Sequence, residues 1–191
     1  LKVFRTLINT SRLRAGQILV PERVFPEDRL VFDKKMYPAT IRLAGREYEC
    51  LQFVVEVPEK SDPMSLNVNV SPLKNNLGIM LEKVQLREQI YLTTEISSDY
   101  RDFPVGQWPD PLFETDWPKK ISDAQIAKQN IEIIKKCHRR IYWLTVRAQA
   151  DAKPGIYKGT VNITLDGKPA GKFSVEIRVN AFSLPKRAYL R

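Results

Sequence analysis

The chain has 191 residues and a mass of 22.1 kDa, enough for one sizeable domain with a real core. Hydrophobic residues at 43% and charged residues at 28% exclude wholesale disorder and a fibrous repeat, and no apolar run is long enough for a helical membrane span. Lys and Arg exceed Asp and Glu by 31 to 22, a net charge of +9, yet acids are interleaved with bases along the whole length, so neither nucleic acid nor a membrane is expected as a partner.

The chain opens on Leu1 rather than Met and shows no basic-then-apolar leader, which reads as a trimmed or mature fragment. Thirteen prolines spread from Pro21 to Pro185 leave little room for long helices. Segments rich in β-branched and aromatic residues with period-two alternation predict strands over Ile41–Val57, Leu66–Val70, Val84–Thr94, Ile141–Ala148, Tyr157–Leu165 and Lys172–Phe182. Between them, residues 97–120 hold five aromatic residues and four prolines with no usable period, which predicts a long irregular loop. Over 121–140, Ser122 with Gln125 forms a capping-box pattern that predicts a short helix near 122–129. A strand over Asn130–Lys135 follows, turning at Lys136–Arg139 into Ile141–Ala148.

The last two strands allow a register to be derived. Val161, Ile163 and Leu165 share one face, as do Phe173, Val175, Ile177 and Val179, so odd positions must pair with odd. A two-residue turn at Asp166–Gly167 would break that parity. A five-residue loop over Asp166–Ala170 preserves it, pairing Ile163 with Phe173, Val161 with Val175 and Tyr157 with Val179, and keeps Pro169 out of the ladder. In Pro154-Gly155-Ile156-Tyr157-Lys158-Gly159, Pro154 sets a turn, Gly155 supplies a positive φ and Gly159 permits close backbone approach. The expected class is all-β: an antiparallel β-sandwich with long irregular loops and at most one or two short helices, a single domain over 1–191.

Groups that carry chemistry are sparse. Cys50 and Cys137 are 87 positions apart with no His or Cys positioned to complete a metal cluster; one disulfide is open to them, and two unpaired thiols is the simpler reading. The only histidine, His138, sits among cations in Lys135–Arg140, and a Cys137–His138 pair in extended chain points its side chains apart. Glu47 and Glu49 share a face as an acid/base pair would, but strand-end glutamates more often hold backbone or arginine. Asp110, between Pro109 and Pro111, suits a turn whose carboxylate caps backbone N–H groups; Asp116 also lies in the long loop. Tyr100, Phe103, Trp108 and Trp117 offer either a platform for a sugar ring or anchors for an interdomain contact, whereas Trp143, inside a strand, belongs to the core. Tyr100, Trp108, Asp110 and Trp117 are the candidate binding residues; no catalytic residue, metal site or cofactor is expected, since no phosphate loop, dinucleotide fingerprint or zinc spacing is present. Sequons at Asn9, Asn69 and Asn162 are short enough to arise by chance.

Four patterns occur in order: Arg46-Glu47-Tyr48-Glu49-Cys50-Leu51-Gln52-Phe53-Val54-Val55, Gly106-Gln107-Trp108-Pro109-Asp110-Pro111-Leu112, Pro154-Gly155-Ile156-Tyr157-Lys158-Gly159 and Phe182-Ser183-Leu184-Pro185. Together they resemble the N-terminal β-sandwich domain of glycoside hydrolase family 123 and of relatives carrying domain of unknown function 4091, over about residues 40–190. The resemblance implies a sandwich that precedes a (β/α)₈ barrel, whose acidic pair hydrolyses N-acetylgalactosaminides with help from the substrate's acetamido group. The exit motif Leu184-Pro185 normally leads into that barrel, and the chain stops at Arg191, so the catalytic domain is expected to be absent and the barrel of the same polypeptide to be the partner. A secreted or periplasmic location follows from the same resemblance. The resulting expectation is a non-catalytic accessory domain that braces the barrel through the 97–120 segment and shapes its cleft; the rival is an independent carbohydrate-binding module using the loop aromatics.

Overall fold

Phe53, Val54 and Val55 are consecutive and all fully buried, which a strand achieves only when both its faces are covered. The layering meets that requirement. The computed structural model describes residues 2–19, 22–61, 65–94, 106–115, 132–133 and 138–186. Its strands are, in order, β1 (Lys2–Val3), β2 (Arg5–Asn9), β3 (Arg14–Ile18), β4 (Leu30–Val31), β5 (Ala39–Gly45), β6 (Tyr48–Glu56), β7 (Asn67–Val70), β8 (Lys83–Thr94), β9 (Gly106–Glu114), β10 (Glu132–Ile133), β11 (Arg139–Arg147), β12 (Gly155–Leu165) and β13 (Lys168–Ser183). No α-helix occurs among the described residues.

A large antiparallel sheet runs β2-β3-β6-β11-β8-β9, and a four-stranded sheet runs β5-β13-β12-β7 with β5 and β13 parallel. The main core lies between them: Leu51, Phe53, Val55, Tyr142, Leu144 and Val146 face Ile41, Leu43, Tyr157, Val161, Phe173, Val175 and Ile177. Phe53 sits at its centre, stacked on Tyr142 at 5.4 Å and meeting the Phe173 ring edge-on at 5.2 Å. A second cluster of Phe4, Ile18, Val24, Leu30, Val54, Tyr91 and Ile141 covers the other face of the large sheet. The expected class holds: all-β, with antiparallel sheets packed face to face.

Several details depart from the sequence reading. The segment Ile41–Val57 is two strands in different sheets, because Arg46 takes a positive φ of 65° and turns the chain from the small sheet to the large one. The 97–120 segment is not irregular throughout, since 106–114 forms β9 on the outer edge of β8. Pro109 and Pro111 hid it from a propensity reading, but an edge strand has no use for N–H groups on its open side. β10 and β11 both run antiparallel to β8 and so point the same way, and residues 134–137 of the expected strand and turn between them lie outside the described residues. The predicted helix at 122–129 lies outside the described residues.

The β12–β13 hairpin resolves its parity problem by another route. Asp166 and Gly167 have φ of 52° and 70°, as a two-residue type I′ turn requires, and Leu165 pairs with Lys168. One extra residue on β13, Ala170, then bulges between the Thr164–Pro169 and Ile163–Gly171 pairs. Odd again meets odd, so Val161 pairs with Phe173 and Tyr157 with Ile177, and the five-residue loop is not formed. Pro169 stands in the ladder, its carbonyl accepting from Arg12 at 3.0 Å. The Pro154–Gly159 reading stands: Gly155 has φ of 144°, and a Cβ on Gly159 would lie 2.5 Å from Leu73 Cδ2.

Candidate functional site

Trp108 belongs to β9, where Tyr91 and Leu92 of β8 pair with Pro109 and Trp108. The segment 22–28 comes to meet it. The Asp28 carboxylate accepts the Phe25 N–H at 2.7 Å and pairs with Lys2 at 3.1 Å, which fixes the turn that presents Phe25. Arg139 donates to the Phe25 and Pro26 carbonyls while its Nε pairs with Glu56 at 2.9 Å, and the Tyr91 hydroxyl donates to the Val24 carbonyl at 3.1 Å. Phe25 then meets the half-buried Trp108 at 5.3 Å and 82°, and the Arg23 guanidinium stands 5.2 Å from the indole centroid. Trp108 is therefore clasped by an aromatic ring and a cation, while Asp110 and Leu112 further along β9 are exposed.

Beneath this edge runs an amide network. Gln89 Oε1 accepts from Gln52 Nε2 at 3.2 Å and from Trp143 Nε1 at 3.1 Å, and Gln89 Nε2 donates to the Pro109 carbonyl at 3.1 Å. Four strands are tied together by it, and Trp143 is half-buried against the second cluster. Asp110 lies in a strand, so the expected capping turn between the two prolines is not formed; extended pairing with β8 took precedence over local turn chemistry. Tyr100, Trp117, Phe103, Asp116 and Cys137 lie outside the described residues. Arg23, Phe25 and Arg139 escaped the sequence reading because they come from remote segments; the Pro and Asp of Phe25-Pro26-Glu27-Asp28 were the available turn signal.

The carboxylates hold structure. Glu47 accepts the Ala44 N–H at 2.6 Å and Glu49 the Cys50 N–H at 2.9 Å, each occupied by backbone at a strand start. Glu56 bridges Arg14 and Arg139. Glu88 is paired through both oxygens with Arg140, and both side chains are buried. Cys50 is a free, half-buried thiol 3.6 Å from Thr145 Oγ1, and His138 is half-buried rather than in an exposed turn, its main-chain carbonyl accepting from Val57. Among the described residues no group of three His, Cys, Asp or Glu could hold a metal, and no helix is long and apolar enough to cross a membrane.

Tyr142 lies opposite Glu88 in the ladder, and its phenol pKa is pushed far above the ordinary 10.0, first by burial and then by the Glu88 charge, with Arg140 opposing. The native phenol keeps a proton that the unfolded chain loses near pH 10, so this stabilisation is complete below that pH and is lost as pH rises beyond it. Stability should fall above pH 10 with a contribution of up to about 1.4 kcal/mol per pH unit from this group, a slope absent from Tyr142→Phe. Urea midpoints between pH 9 and 11.5 check this; equal slopes in both proteins would refute it.

No family model matches the sequence, and no curated protein matches it. Among solved structures, a family 123 glycoside hydrolase from Clostridium perfringens, studied for glycolipid glycan hydrolysis, superposes with a TM-score of 0.65 at 16% identity over 91% of this chain. The fold is shared with that hydrolase. This chain spans 28% of the length of the hydrolase chain. A Pseudomonas fluorescens alkylpurine DNA glycosylase bound to abasic-site DNA matches 74% of this chain at 13% identity, but its TM-score of 0.23 carries no argument.

Proposed function

We propose that the chain is the non-catalytic accessory β-sandwich of a glycoside hydrolase-like protein, bracing a barrel carried by the same polypeptide and shaping its substrate cleft. The observation that carries this reading is the family 123 superposition, in which nearly all of this chain matches little more than a quarter of a hydrolase. The β8–β9 edge supports it as the bracing surface: Phe25 and Arg23 clasp Trp108, and Leu112 on the same edge strand is 39% exposed.

The test compares the 191-residue chain, a candidate barrel from the same polypeptide, and the two joined, on an aryl N-acetylgalactosaminide. The chain alone should show no turnover, and the joined protein should outlast the barrel alone on heating. Trp108→Ala with Leu112→Ala should remove that gain while leaving the sandwich folded. Turnover by the chain alone would overturn the reading. Tight binding of N-acetylgalactosamine glycans that is lost in Trp108→Ala would replace it with an independent carbohydrate-binding module.

A further inference from the structure

The four-stranded sheet turns Ile41, Val161, Val175 and Ile177 to the core and the alternate residues to solvent. That outer face is charged in one sense. It carries Arg42, Lys74, Lys158, Lys172 and Arg178, all exposed, and receives Arg5, whose guanidinium donates to Thr40 at 3.1 Å. Glu176 is its carboxylate among these rows, and Lys158 engages it at 3.3 Å.

The placement works against the fold. Arg178 is directly opposite Arg42 in the β13–β5 ladder, and Lys158 is directly opposite Lys74. Like charges facing each other across a sheet are destabilising, and a glutamate at one position of either pair would stabilise it as Glu176 does for Lys158. Folding gains nothing from the arrangement, whereas an external anion would turn the repulsion into attraction. Strand spacing of about 4.8 Å and an alternate-residue spacing of about 6.8 Å set the cations on a flat grid. Between them the same rows present hydroxyls and amides, such as Thr160, Asn162 and Ser174.

We propose that this face binds an extended acidic polysaccharide, its carboxylate or sulfate groups paired with the cations and its hydroxyls with the Thr, Ser and Asn side chains. The charged rows themselves hold no aromatic ring on which a nucleobase would stack, the Tyr37 ring at their margin being occupied by Arg5 at 5.3 Å and Lys35 at 5.1 Å, and a sheet face has nothing to enter a duplex groove. The face belongs to the small sheet, whereas Trp108 belongs to the edge of the large one, so the proposal stands apart from the bracing role.

Calorimetric titration of the 191-residue chain with heparin and with polygalacturonate oligosaccharides tests it and separates sulfate from carboxylate recognition. Binding to at least one is expected at low salt, weakening about tenfold or more when salt is raised to a few tenths molar. Arg42→Ala with Arg178→Ala should weaken it about tenfold, whereas Lys83→Ala with Arg87→Ala, which removes the same charge from the large sheet, should change it less than about threefold. Unchanged thermal midpoints confirm that both doubles are folded. The proposal is overturned if neither polysaccharide binds, if both doubles lose affinity equally, or if single-stranded DNA of matched charge or phosphatidylserine vesicles bind more tightly.

Discussion

Arg140→Leu should destabilise the protein by about 3–5 kcal/mol, because it leaves the Glu88 carboxylate buried without its cation. The two groups meet through two parallel bonds, Nη2 to Oε2 at 2.6 Å and Nε to Oε1, at a depth where water solvates neither well. Glu88→Leu alone should cost a similar amount by removing the buried carboxylate that the guanidinium is paired with. The double variant with leucine at both positions should recover most of the loss, since a well-packed apolar pair avoids desolvating two charges. Urea unfolding of the three variants forms a double-mutant cycle; additive losses would show that the pair does not act as a unit. The protonated phenol of Tyr142 lies opposite Glu88, so the cycle reports on a polar island inside one end of an otherwise apolar core.

Phe53→Ala should cost about 3–5 kcal/mol from the lost burial and the cavity that remains. Phe53 is fully buried, and its ring touches an aromatic from each layer, Tyr142 in its own sheet and Phe173 in the other. Neither neighbour can collapse into the gap without breaking strand register, so relaxation should recover little. Phe53→Leu, which keeps most of the volume, should lose about half as much. Thermal and urea unfolding check both values. A Phe53→Ala loss under about 1.5 kcal/mol would mean that the two sheets slide together and close the space.

The strands were legible wherever one face is wet. Val161, Ile163, Phe173 and Val175 alternate cleanly with Lys158, Asn162, Lys172 and Glu176, and both strands lie where that alternation put them. The strand β9 was hidden because Pro109 and Pro111 are poor strand formers, and only its position on a sheet edge, a property of the folded molecule, makes them acceptable. The hairpin register was missed for a different reason. Asp166–Gly167 is a strong local turn signal whose parity alone conflicts with the apolar faces, and nothing local announces the bulge that restores it. At the site, the place of Trp108 in a loop-like segment was visible, but its clasp joins residues some eighty positions apart, a distance that single-chain pattern reading does not span.

Counting modulo two has a lasting effect on how this hairpin can change. Ala170 acts as a spacer that reconciles a tight reversal with the inward orientation of everything C-terminal to it on β13. Deleting it while keeping the reversal would swing Phe173, Val175, Ile177 and Val179 outward and carry Lys172, Glu176 and Arg178 into the interior. Insertions and deletions here are tolerable only in matched sets, so homologous sequences should vary in length at this hairpin by even steps, as when a spacer and one turn residue are gained or lost together.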